Sequence, residues 1–434
     1  MPTVANLLRR RDPARPRQAL GRERQLHAVP SGRCPLSRRL PLMSDSRDGP
    51  GASPGRVLVT DGEFKHTLGI VRALAARGHE VHLLARSGRA PAAHSRAIAA
   101  WHVAPLSGSP AFDERLLQVL ESLAPLSFVP VGSGAMASAH RLRDRLPRGV
   151  RVALPPPDAF EIASDKARAA EVARAAGVAT PREFRVADLG AARRAIETLG
   201  LPMVLKSARE EGRKALRYVR GGGDLDTAFK DVSAIASGEL LAQECVAGEG
   251  YGFSALYWQG RRVRHCMHRR VREWPPTGGT SACAESLPEA PELERAGTAL
   301  LDALRWHGVA MVEFKGALAG GGLRLIEVNA KFWGSHDVAL AAGVDFPGDL
   351  VALMEGRTLP PQPPVRQVRF AWPLGGDLWH GLFRPRALPG VLWDAISPAV
   401  ARNIRLSDPA PTLWELAQWA RSTPGAWHEQ RELR

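Results

Sequence analysis

The sequence predicts a multidomain protein in which an α/β unit is followed by α+β structure, and three observations carry this. Residues 56–86, RVLVTDGEFKHTLGIVRALAARGHEVHLLAR, read strand–helix–strand. Short apolar strands then recur between 202 and 258. Residues 309–329 read as a hairpin around Gly320, Gly321 and Gly322. A length of 434 residues suits two or three domains.

Taken in order, residues 1–55 are rich in Arg, Pro, Ser and Gly without periodicity and are expected to be disordered. They lack the apolar run and small-residue cleavage site of a secretory signal; an Arg-rich targeting peptide and a true start at Met43 are the alternatives, the second favoured. A first domain is expected over 56–150. Arg56–Thr60 is a buried strand, and His66–Arg77 is helical through Leu68, Val71, Leu74 and Ala75, ending at Gly78. Glu80–Ala85 is the second strand, with further strands at 101–104 and 127–131. A second domain is expected over 151–356. It opens with a helix in 164–181, capped by Ser164 or Asp165 and closed by Gly177 before Pro181. Strands follow at 202–208, 215–219, 240–246 and 250–258. TLPPQPP (358–364) reads as a linker or edge segment. The fold of 357–434 is undetermined. It carries six of the eleven tryptophans, read as packing residues, and a helix with Thr412 and Glu415 at capping-box spacing.

The net charge of +15 invites a nucleic-acid reading, yet ten arginines against Asp12 and Glu23 put +8 of it before Met43. No RNP, zinc-finger or helix-turn-helix pattern accompanies the rest, so nucleic acid is not an expected partner. No apolar run has bilayer-spanning length, so no membrane is expected either. Cys34, Cys245, Cys266 and Cys283 have no metal or redox spacing and point to a reducing, cytoplasmic setting. No G-x-G-x-x-G, Walker A, G-x-S-x-G or H-E-x-x-H string occurs. Only seven of 59 basic residues are lysine, so a retained lysine hints at a site needing a compact point charge.

The stretch LIEVNAKFWGS (325–335) places Glu327, Asn329 and Lys331 at alternate positions, with Ile326 and Val328 facing a core. Taken alone it reads first as the solvated outer face of a half-buried strand. A hairpin about Gly320 would set Glu313 opposite Glu327, so two carboxylates and an amide oxygen converge. That set suits Mg2+ shared with phosphate oxygens and not zinc.

With these segments in order, the chain resembles the ATP-grasp superfamily, in its carbamoyl-phosphate-synthetase-like and carboxylate–amine ligase branches, over about 56–356. The resemblance implies a Rossmann-like preATP-grasp domain followed by a two-lobed ATP-grasp domain. In ASDK, Lys166 would reach the nucleotide phosphates; in MVLKS, Lys206 would contact the α- and β-phosphates. LLAQECVAGEGYG resembles the hinge strand near 240–246, where Gln243, Glu244, Cys245 and Val246 would border the adenine and Glu249 the ribose. VEFK and IEVNAKFWGS would supply Glu313, Glu327 and Asn329 to two Mg2+ ions, Mn2+ being a substitute, with Lys331 facing the γ-phosphate. HRRVREWPPTGG resembles the loop near the transferred phosphoryl group, giving Arg270 and Arg272 for the γ-phosphate or a substrate carboxylate. If that segment is a strand, the two share a face; a solvated stripe is the alternative. His336 and Asp337 would touch the acceptor or cap a helix.

The implied activity is an ATP- and Mg2+-dependent ligase that activates a carboxylate as an acyl phosphate and joins it to an amine. Carboxylation, carbamoyl phosphate synthesis and a regulatory protein without turnover are the alternatives, and a homodimer is compatible. The sequence departs from the family in two places. The phosphate-covering loop has only Gly212, with Arg213 and Lys214 either covering phosphates or solvated, and the ribose acid is out of register. Residues 1–42 lack the apolar content to join a core, so deleting them is expected to leave melting temperature and nucleotide binding unchanged. Calorimetry on the chain starting at Met43 checks this.

Overall fold

The computed structural model describes residues 55–432 apart from 126, 210–214, 277 and 319. The expected disordered extension, but for Gly55, and the Gly212, Arg213 and Lys214 loop therefore lie outside the described residues.

A Rossmann-like sheet comes first. Strands β1 (Arg56–Val59), β2 (Glu80–Ala85), β3 (Ala100–Val103) and β4 (Ser127–Val129) are parallel in the order β3-β2-β1-β4. β1 and β2 are apolar on both faces because helices cover both, as parallel sheets require. The helix Thr67–Ala76 buries Leu68, Ile70, Val71 and Leu74, and Gly78 takes the left-handed turn after it at φ +86.

The next four strands form an antiparallel sheet: β5 (Glu183–Val186), β6 (Met203–Ser207), β7 (Leu216–Val219) and β8 (Leu240–Glu244), in the order β5-β8-β6-β7. Met203, Leu205, Val219 and Ala242 form its core, against the helices Leu189–Leu199 and Leu225–Ser233. The helix expected in 164–181 runs over Lys166–Ala175. Asp165 caps it, accepting from Ala167 and Arg168, and a separate helix, Pro157–Ala163, precedes it.

The largest sheet has seven strands. They are β9 (Glu249–Trp258), β10 (Arg261–Trp274), β11 (Thr280–Leu287), β12 (Gly308–Gly316), β13 (Arg324–Asn329), β14 (Arg369–Ala371) and β15 (Val400–Arg402), ordered β13-β12-β9-β10-β11-β14-β15. HRRVREW, expected as loop, is strand: it completes β10, and only 275–279 turn the chain into β11. The TLPPQPP segment forms no regular element but straps the first half of β10, which β11 does not pair. Gln362 exchanges hydrogen bonds of 2.7 and 3.0 Å with the His265 backbone.

Two local expectations fail for identifiable reasons. Ile326 is not a core residue. A bulge pairs Phe314 with Leu325 and Glu313 with Glu327, so Leu325 and Val328 are buried and Ile326 falls between them. The Thr412–Glu415 capping box does not form, because the helix Ala410–Glu432 starts two residues earlier and Glu415 instead accepts from Asn403 at 3.3 Å.

The two antiparallel sheets are joined through 245–248. Gly248 has φ +108, and a Cβ there would run into the Gly316 carbonyl. Gly248→Ala is therefore expected to cost about 2 kcal/mol or more, combining left-handed strain with a backbone clash, as a lowered urea midpoint at unchanged m-value would show.

Candidate active site

The centre of the site is a pair of like charges. Glu313 on β12 stands directly opposite Glu327 on β13. Glu313 also registers with Gly252 on β9, which registers with His268 on β10, so one row crosses four strands. Gly252 leaves room for the His268 ring to lie over β9, where a Cβ would collide with it. At Gly250 a Cβ would sit 3.0 Å from Arg270 Cδ. These two absent side chains let Arg270 reach across β9 to Glu313 Oε2 at 2.5 Å, while it also bonds Glu273 at 3.1 Å.

Cations converge on the second carboxylate. Lys166 Nζ, at the start of its helix, lies 3.5 Å from Glu327 Oε2. Lys331 follows β13 and donates to Ser133 at 2.7 Å. Lys206 on β6 is buried and donates to Gln243 Oε1 at 3.0 Å, whose amide donates in turn to Glu183 at 2.8 Å. Asn329 Nδ2 lies 3.5 Å from Glu327 Oε1.

The charges divide the pair. Burial pushes Glu313 up to about 7; Arg270 opposes this and the Glu327 charge adds to it. Burial acts the same way on Glu327, but Lys166, Lys331, Lys206 and Arg270 outweigh it and hold that carboxyl down at about 2. Lys206 is itself pulled down to about 8 by burial and by Lys166. Like charges in a shared site separate in this way.

The donor set fits a hard cation that shares its shell with a ligand. Among the described residues no group of three or more His, Cys, Asp or Glu could hold a metal ion. Glu313, Glu327 and the Asn329 oxygen offer two carboxylates and an amide, the usual protein share around Mg2+ when phosphate and water complete the octahedron.

The remaining expected residues scatter. Glu244 to Val246 border the connection after β8, with Glu244 held by Arg182 at 2.7 Å. Glu249 does not join the site: strand alternation turns it away from Gly250 and Gly252, and it binds Tyr251 at 2.8 Å and Arg269 at 3.4 Å. Arg272 does not share a face with Arg270. A bulge between them breaks the alternation, and Arg272 binds Asp377 at 2.6 and 2.8 Å and Asp394 at 2.6 Å in a cluster with Arg369 and Glu285. Neither arginine is a solvated stripe. His336 and Asp337 are buried at the start of the helix His336–Ala342, and Asp337 accepts from Trp372 at 2.8 Å, a packing role.

No protein-family model matches the chain. It is 27% identical over 342 residues to a D-alanine–D-alanine ligase of Verminephrobacter eiseniae, spanning 72% of this chain and 95% of that protein. A biotin carboxylase–β,γ-ATP complex from Campylobacter jejuni has TM-score 0.61 at 16% identity, over 73% of this chain and 75% of that one. N5-carboxyaminoimidazole synthetase of Staphylococcus aureus, complexed with ADP, has TM-score 0.60 at 13% identity, over 76% and 86%. The chain has the fold of the ATP-grasp superfamily and is similar in sequence to one of its ligases.

The site also holds residues that spacing did not single out. His268, buried and pushed down to about 3 by its burial and by Arg270, bonds Ser335 at 2.9 Å. Glu273 shares Arg270 with Glu313. Lys65 enters from the loop after β1; its rarity as a lysine was the one sequence signal for it.

The raised Glu313 has a pH consequence. Between its ordinary value of 4.5 and about 7 the folded protein keeps a proton that the unfolded chain has released, so Glu313 makes stability fall as pH rises through that window. Glu313→Gln removes this contribution. Urea midpoints are expected to shift in favour of the variant, relative to the native chain, as pH rises from about 5 to about 7.5.

Proposed function

We propose that the protein is an ATP- and Mg2+-dependent ligase that activates a carboxylate as an acyl phosphate and joins it to an amine. The observation that carries this reading is the facing Glu313–Glu327 pair, with Asn329 beside it and Lys166, Lys206, Lys331 and Arg270 around it. The likeness to a D-alanine–D-alanine ligase along 95% of its length supports ligase chemistry.

Glu313, Glu327 and Asn329 would hold the Mg2+, which supplies neutralisation of phosphate charge. Lys206 and Lys166 would bind the phosphates, and the connection at Glu244 to Val246 the base. Lys331 and Arg270 would orient the γ-phosphate and stabilise the charge spreading over its oxygens during transfer. A carboxylate oxygen bonds to the γ-phosphorus as the bond to ADP breaks. The amine nitrogen then bonds to the acyl carbon, inorganic phosphate leaves, and the nitrogen gives up a proton. Seating both reactants in one cleft supplies the orientation that this sequence needs.

ADP release measured across a panel of carboxylates and amines, with bicarbonate included, tests the activity. Saturation with MgATP at about a hundredfold excess over Kd should stabilise the fold by about 3 kcal/mol. Glu327→Gln keeps the shape and removes a charged ligand, so turnover should drop to background while the far-ultraviolet spectrum is unchanged. Normal ADP release by that variant, or no thermal shift with MgATP, would sink the proposal. Release stimulated by bicarbonate without an organic carboxylate would favour carboxylation instead.

A further inference from the structure

The loop between β1 and its following helix is tied down. Asp61 adopts φ +57, and its Oδ2 accepts from Thr60 at 2.6 Å and from the Gly132 amide at 2.8 Å. The Asp61 carbonyl accepts from the Thr67 hydroxyl at 2.7 Å and from the Phe64 amide at 3.1 Å. These bonds clamp the loops that leave the carboxyl ends of β1 and β4. The sheet order reverses at these two strands, and such a switch point is where open α/β sheets receive ligands.

Lys65 extends from this clamped loop beside Gly334 and Gly375. Its ammonium lies 4.2 Å from the Trp372 ring centroid and donates to the Ser281 carbonyl. Among the described residues no carboxylate oxygen is within 4.0 Å of it. Three carboxylates oppose its charge from farther off, Asp337 first, then Glu415 and Asp377, and Asp337 has one oxygen engaged by Trp372. An ammonium has three donors. One carbonyl and one ring face leave this cation under-compensated for the water it has lost, and burial pulls it down to about 8. The nucleotide end does not account for Lys65: the cations that hold Glu327 down are Lys166, Lys331, Lys206 and Arg270. Arg270 is a neighbouring charge of both Lys65 and the acid pair.

We propose that Lys65 anchors the organic carboxylate co-substrate, its ammonium meeting a carboxylate oxygen where the β1 loop approaches the Gly334 turn. This rests on the reading of the acid pair as the nucleotide end. Lys65 is then a determinant of substrate class: it selects an anion where an alcohol or a neutral amide would leave the ammonium uncompensated.

The test uses the full chain with its lysines reductively methylated with carbon-13. Seven lysines give a sparse spectrum, and Lys65→Arg identifies the Lys65 signal. Acetate, glycine, succinate and bicarbonate are titrated separately at constant ionic strength, with chloride as control. At least one organic carboxylate should raise the Lys65 midpoint by about one unit, a tenfold preference of the anion for the ammonium form, while exposed Lys230 stays fixed. MgADP should perturb Lys166 and Lys206 in the same sample. If MgADP acts there but no organic carboxylate moves Lys65, or bicarbonate alone does, the anchor is wrong and the nucleotide reading stands. If MgADP leaves both lysines unmoved, the nucleotide reading falls instead. In the ADP-release assay, Lys65→Met should raise KM for the carboxylate about a hundredfold, with KM for ATP within about twofold. Equal effects on both constants would mean that Lys65 only holds the loop.

Discussion

Two part-buried carboxylates facing each other across neighbouring strands are the constraint on which the site depends. Left alone, Glu313 and Glu327 could not both ionise. The chain answers with cations drawn from separate parts of the fold: Lys166 from a helix start, Lys206 from the small sheet, Lys331 from beyond β13, and Arg270 from β10. Each brings its own supporting partner, Gln243 for Lys206 and Ser133 for Lys331. The electrostatic problem at two residues thus dictates the placement of side chains from two sheets and a helix.

The pair was legible in the sequence because two ordinary signals coincide there. A glycine run sets the turn, and apolar alternation on both sides sets the register, so Glu313 and Glu327 could meet in only one way. The strands β1 and β2 were legible for a similar reason, being apolar runs bounded by Gly and polar residues. β10 was not. Its charged residues carry no apolar alternation, since each finds its counter-charge elsewhere: Arg269 at Glu285, Arg270 at Glu313, Arg272 at Asp377 and Asp394. Partners supplied by distant strands and helices leave no trace in local spacing. The bulge that separates Arg270 from Arg272 is hidden too: Val271 is an extra residue opposite the single step from Ala284 to Cys283, and the strand's own spacing does not announce it.

That bulge gives one strand two electrostatic loyalties. Arg270 serves the acid pair, while Arg272 locks onto residues 377 and 394 of the C-terminal region, which also contributes β14 and β15 to the sheet. Removing one member of such a buried cluster leaves its partners charged and uncompensated, a cost of about 3 to 5 kcal/mol. The C-terminal region is therefore wired to the strand that carries Arg270, and Trp372, beneath Lys65, belongs to it as well.

The passage between the two antiparallel sheets narrows to Gly248 against Gly316, main chain on main chain. A contact without side chains has no rotamers to rearrange and no methyl groups to ratchet. Its spacing is set by peptide geometry alone, so a side chain added at Gly248 would wedge the connection of the small sheet away from β12.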